Sequence, residues 1–190
     1  RGAVVALNYE TGKVLALAST PTYDPNELST PDTRRAGERW DKLLNAKDEP
    51  LKNRATREVF PPGSTFKLIT AAAALEHGVR PDQEIPSPAS LRLPGSNHSM
   101  GNSTNCGGER TTLERALATS CNTAFGQLGL DVGADAMRDM AERFGFNADS
   151  QLDIRAATSR YPKDADKAQT ALSAIGQFDV ASSPLQMAQV

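Results

Sequence analysis

The sequence predicts a mixed α/β fold of the α+β kind: an N-terminal hairpin of an antiparallel sheet, followed by a larger helical part. Three observations carry this. Two short apolar runs, Ala3–Asn8 and Lys13–Ala18, flank Tyr9-Glu10-Thr11-Gly12, the pattern of two strands joined at a glycine turn. An apolar run of strong helix formers, Leu68 to Leu75, follows Pro61-Pro62-Gly63, and Pro-Pro-Gly is a rigid turn. Several later stretches carry helix caps or core spacing.

Composition narrows the function classes. The chain has 190 residues, long enough to bury a sizeable core, with 23% charged and 38% apolar residues and a net charge of -2. That balance gives no reason to expect nucleic acid or an anionic membrane surface as a partner. No apolar run approaches a membrane span. The chain opens at Arg1-Gly2 with no signal peptide, so it reads as a piece of something longer. Its two histidines, His77 and His98, and two cysteines, Cys106 and Cys121, match no zinc spacing, and no metal or cofactor is expected. By the residues alone, the cysteines are either two free thiols or a pair closing a loop of roughly 15 residues.

Each element follows in order. Both hairpin arms are apolar on both faces, so the sheet is expected to be covered on each side. The prolines of Thr20 to Asn26 mark a loop. A helix is expected over Thr33–Ala46 with Trp40, Leu43 and Leu44 on one face. Leu51–Arg57 leads into the Pro-Pro-Gly turn. The next helix, starting near Ser64 and closed by Gly78 as C-cap, is apolar almost all round and so should be buried. Arg80 to Arg110 reads as loop with short strands. Thr111-Thr112-Leu113-Glu114 reads as a capping box, Thr at N-cap and Glu at N3, opening a helix to about Thr119. Further helices are expected over Thr123–Asp131, over Ala134–Phe144 with Met137, Met140, Ala141 and Phe144 at core spacing, and over Lys167–Ile175. Gly145–Lys163 between them is read as irregular. Ser183-Pro184-Leu185-Gln186 opens a final capped helix with Pro at N1.

Two motifs carry chemistry. Residues i and i+3 share a helix face, so Lys67 should lie beside Ser64. A serine hydroxyl needs a base before it is a good nucleophile, and a buried lysine can be one. Free N–H groups at the helix start would stabilise negative charge beside Ser64. With 14 serines and 7 lysines, about half of one Ser-x-x-Lys arises by chance, so this motif alone is weak. The second motif is Ser120-Cys121-Asn122, between two helices. There a hydroxyl can relay a proton, and an amide can accept from Lys67 and donate to a substrate carbonyl. Alone it would most often be a helix cap.

Together, and in this order, the motifs resemble the penicillin-binding proteins, specifically the class B, monofunctional D,D-transpeptidases and nearest their actinobacterial branch. The resemblance rests on Ser19-Thr20-Pro21-Thr22-Tyr23-Asp24-Pro25-Asn26, on Leu51 to Lys67, on Ser120-Cys121-Asn122-Thr123, and on Ala174-Ile175-Gly176-Gln177 with Ser183 to Ala188. It implies a penicillin-binding-protein/serine β-lactamase-like transpeptidase fold. It implies Ser64 as acylated nucleophile, Lys67 as base, Ser120 as proton relay and Asn122 as substrate contact. The partners it implies are peptidoglycan stem peptides, β-lactam antibiotics and cell-division or elongation glycosyltransferases, outside the cytoplasmic membrane. In that compartment a Cys106–Cys121 disulfide is expected. The family's third motif, Lys-Thr/Ser-Gly, is absent from these residues. The chain is therefore expected to be a partial domain, 1–190, lacking later strands and inactive alone. The alternatives are a serine β-lactamase, for which no Glu-x-x-Leu-Asn follows the second motif, and a non-catalytic β-lactam sensor.

Overall fold

The computed structural model describes residues 1–149 and 154–190. It is mixed α/β, with eight helices and six short strands among the described residues, and it divides into two compact units.

The smaller unit comprises Arg1–Glu58, 154–157 and Ser183–Gln189. Strands β1 (Gly2–Leu7) and β2 (Val14–Thr20) form the expected antiparallel hairpin. Helix α1 runs from Thr33 to Leu44, with the Asp32 side chain accepting from Arg35 N. A short helix, α2 (Arg54–Arg57), lies where only a lead-in segment was expected. The last helix, α8 (Pro184–Gln189), starts at the predicted proline, and Gln186 N donates to Ser183 Oγ at 3.1 Å. One expectation fails in this unit. The hairpin is not covered on both faces: Val4 is 63% exposed, while Ala3, Val5, Leu17 and Ser19 on the other face are part-buried beside α2 and α8. On α1, Trp40 and Leu44 are 47% and 62% exposed. An apolar pattern shows that a face can be buried, and only a neighbouring element buries it. Among the described residues of this unit, the one fully buried charged side chain is Arg54. Its guanidinium donates to the carbonyls of Asp48 and Glu49 at 2.6 and 3.1 Å and pairs through Nε with Glu58 at 3.2 Å.

The larger unit holds residues 59–149, Thr158–Ser182 and Val190. A 3-10 turn, Gly63–Phe66, runs directly into α3 (Lys67–Glu76). Between Glu84 and Thr112 lie four three-residue strands in two antiparallel pairs, as the loop-with-strands reading expected: β3 (Glu84–Pro86) with β6 (Arg110–Thr112), and β4 (Ser90–Arg92) with β5 (Ser99–Gly101). Helices α4 (Leu113–Ala118), α5 (Asn122–Val132), α6 (Ala134–Arg143) and α7 (Lys167–Ser173) follow. The core joins α3, α4, α5 and α7 through Ala71, Ala74, Ala116, Ala124, Phe125, Leu128 and Ala171. Met137, Met140 and Ala141 on α6 are buried as their spacing predicts.

Two local expectations are corrected. Helix α3 is not buried all round: Leu68 and Leu75 are 50% and 47% exposed, so it keeps one open face. The capping box at Thr111 does not form. Thr111 lies in the middle of β6 opposite Ile85, and the N-cap falls at the strand's last residue, Thr112, whose hydroxyl accepts from Arg115 N. A capping box that was not expected forms instead at α7, between Asp166 and Gln169. Of the stretch 145–163 read as irregular, 150–153 lies outside the described residues; the rest is irregular, tied by Asn147 N to Ser159 O at 2.7 Å.

Candidate active site

Ser64 sits in the 3-10 turn that leads into α3 rather than in the first turn of the α-helix, and Lys67 is the first residue of α3. The turn is held from below. Phe66 is fully buried, edge-on to Phe146 and stacked on Tyr161. It is held from behind by Gly176, whose carbonyl accepts from Gly63 N at 2.9 Å. Gly176 has φ +68, and a Cβ there would stand 2.2 Å from Gly63 O, so glycine is required on both counts. Thr70 Oγ1, one turn into α3, donates to Ala174 O at 2.7 Å. Ser64 is thereby presented to solvent while Lys67 is completely buried.

Ser120 and Asn122 come from the α4–α5 junction. Ser120 adopts φ +55, a left-handed conformation that costs an L-residue about 1 kcal/mol. Cys121, between them, is the N-cap of α5 and is bonded to Cys106 through sulfur. In this geometry both Ser120 oxygens face the lysine. Lys67 Nζ lies 3.2 Å from Ser64 Oγ, 3.0 Å from Ser120 Oγ, 2.7 Å from Ser120 O and 2.7 Å from Asn122 Oδ1. The Phe125 ring centroid is 5.7 Å away. All four predicted site residues thus converge on one nitrogen.

The chemistry of those contacts fixes the amine. Ser120 O and the amide oxygen of Asn122 can only accept. A neutral amine that gives its two hydrogens to them must turn its lone pair towards the hydroxyls of Ser64 and Ser120. Burial pushes the Lys67 ammonium down from its ordinary 10.5 to about 8, because a charge taken from water is disfavoured. No carboxylate pairs with it among the described residues. The arrangement can therefore take a proton from Ser64 and return it through either hydroxyl. The Lys67 N–H donates within the turn, to Ser64 O and Thr65 O. The Asn122 amide nitrogen, expected to face a substrate, donates to Gly101 O at 3.1 Å.

Sequence reasoning missed the residues that hold the site rather than line it. Phe125, Gly101 and Asn102 carry no motif. Asn102 lies 20 positions from Asn122 and nothing in its neighbours marks it. Gly176 was noticed only within a resemblance. Among the described residues no group of three or more His, Cys, Asp or Glu could hold a metal.

A fold with a serine turn, a buried lysine and a Ser-x-Asn junction defines a serine acyl-transfer scaffold, and comparison with known proteins gives it a family. The chain belongs to the family described as Penicillin binding protein transpeptidase domain, which matches residues 2–190. It is 45% identical over 194 residues to peptidoglycan D,D-transpeptidase PbpA of Mycolicibacterium smegmatis, covering 100% of this chain and 40% of the relative. It is 33% identical over 205 residues to MrdA of Escherichia coli K12, covering 100% of this chain and 31% of MrdA. The chain thus spans well under half the length of the curated relatives it matches. Among solved structures, the imipenem acyl-enzyme complex of penicillin-binding protein A from M. tuberculosis superposes with a TM-score of 0.93 at 42% identity, covering 98% of this chain and 44% of that one. A Pseudomonas aeruginosa PBP2 gives 0.85 at 32%, covering 100% and 45%.

Proposed function

We infer that the protein carrying this chain is a peptidoglycan D,D-transpeptidase acting by serine acyl transfer. The observation that carries the reading is the Lys67 amine, buried, held by two acceptor-only oxygens and 3.2 Å from Ser64 Oγ. Ser64 Oγ attacks the carbonyl of a D-Ala-D-Ala stem peptide as its proton passes to Lys67 Nζ. The C–N bond to the terminal D-Ala breaks, and that amine takes the proton through Ser120 Oγ. An acceptor amine then attacks the ester, gives its proton to the same relay, and leaves a cross-link with Ser64 free. A β-lactam carbonyl enters the first step in the same way. Solved relatives carry imipenem and penicillin G as acyl-enzymes, which supports this. The cell-wall relatives by name are peptidoglycan D,D-transpeptidases. We take the work to be done outside the cytoplasmic membrane, in cell division or elongation, beside glycosyltransferase partners. No helix among the described residues is long and apolar enough to cross a membrane.

The test is mass spectrometry of the intact protein after treatment with penicillin G. A long-lived adduct on the peptide containing Ser64, absent in Ser64→Ala, is expected. Rapid release as hydrolysed antibiotic would make it a lactamase instead, and no adduct at all would end the reading.

A further inference from the structure

The N-terminus of α5 lacks a cap of its own: Cys121 is the N-cap residue, and its side chain makes no capping hydrogen bond because it is committed to the disulfide. The cap arrives from elsewhere in the chain. Asn102 Oδ1 accepts from Thr123 N at 3.0 Å, and Asn102 Nδ2 donates to Thr123 Oγ1 at 2.9 Å and to Pro88 O at 3.3 Å. The amide orientation is chemically determined, since a backbone N–H can face only the oxygen and a carbonyl only the nitrogen. Thr123 is fully buried, so without Asn102 both its N–H and its hydroxyl lose these partners in the interior. The residue before Asn102 completes the frame. Gly101 O accepts from Asn122 Nδ2 at 3.1 Å, which leaves Asn122 Oδ1 facing Lys67 Nζ at 2.7 Å.

We propose that Asn102 is a positioning residue for acyl transfer, clamping the first turn of α5 so that Asn122 and Ser120 stay fixed on the Lys67 amine. It touches neither the lysine nor the serine. It acts through Thr123, which follows Asn122 directly, and through the Gly101 carbonyl, which precedes Asn102. The Cys106–Cys121 bond ties the same two segments together, as does Thr104 Oγ1 to Thr119 O at 2.6 Å. Neither of those satisfies the free N–H groups at the start of α5, which is what sets the direction of its first turn. The inference rests on the transpeptidase reading for its kinetic consequence but not for its structural one.

Two readouts on the intact, disulfide-bonded protein test it. In Asn102→Ala, hydrogen exchange at the Thr123 amide is expected to rise roughly tenfold, and acylation of Ser64 by penicillin G at pH 9 to slow by about tenfold or more. Asn102→Asp keeps an acceptor for Thr123 N but loses the donor to Pro88 O, so exchange protection and acylation should fall between those of wild type and Asn102→Ala. Met137→Ala, a core truncation on α6, should lower thermal stability while leaving acylation near wild type, which separates positioning from general loss of stability. Unchanged exchange in Asn102→Ala overturns the proposal, as does raised exchange with unchanged acylation. If wild type forms no adduct, the transpeptidase reading fails, and the exchange data still decide whether Asn102 holds α5.

Discussion

At the scale of single residues, the site depends on a lysine kept where lysine is least comfortable. Its amine is fully buried and its pKa falls to about 8. This has a cost with a definite sign. Between about pH 8 and 10.5 the unfolded chain binds a proton at this position that the folded chain has released, so stability attributable to Lys67 rises across that window. Below pH 8 the buried charge costs on the order of 3 kcal/mol. Urea unfolding of wild type and Lys67→Met at pH 7.5 and pH 10 checks this: wild type should gain on the variant as pH rises. A difference independent of pH would mean that the amine is not desolvated. The spacing of Ser64 and Lys67 was legible because i and i+3 must share a face whether the turn is α or 3-10. The depth of Lys67 was legible only in part, since the apolar run after it suggested burial but also predicted burial for Leu68 and Leu75, which are half exposed.

At the scale of elements, the serine turn and the α4–α5 junction are each fixed from outside their own sequence. Gly63 rests against Gly176, and α5 is capped by Asn102. Substituting Gly176→Ala puts a methyl group into the Gly63 backbone at a positive φ. Chemical unfolding should show a loss of at least about 2 kcal/mol, with slower acylation because the turn bearing Ser64 must shift. Wild-type stability in that variant would show that the contact is not a constraint. These long-range supports explain what the sequence left dark. Helix existence followed from periodicity and from caps such as Ser183 with Pro184. The failed box at Thr111 and the unexpected one at Asp166 show the limit of that signal: Thr111 lies in the middle of β6, and the cap falls one residue later. The two motifs were visible separately, but nothing local to either showed that Ser120 takes a positive φ or that its carbonyl as well as its hydroxyl meets Lys67.

At the scale of the whole molecule, the larger unit gathers every predicted site residue, from stretches 53 to 55 positions apart, around the packed faces of α3 and α5. The smaller unit is organised separately, about its hairpin and the buried Arg54. Family membership extends across residues 2–190 and so covers both units. What the molecule as a whole supplies to the chemistry is dryness: a scaffold that hides an amine completely while leaving the hydroxyl it serves open to an acyl donor. The pH dependence of the second-order rate of Ser64 acylation by penicillin G, measured on the intact protein from pH 6 to pH 9.5, tests that most directly. The rate should rise about tenfold per pH unit at the acid end and level off above a midpoint near 8 as Lys67 loses its proton. A rate that is flat across the range, or that keeps rising to pH 9.5 without levelling off, as an amine with the ordinary value of 10.5 would make it, would contradict it.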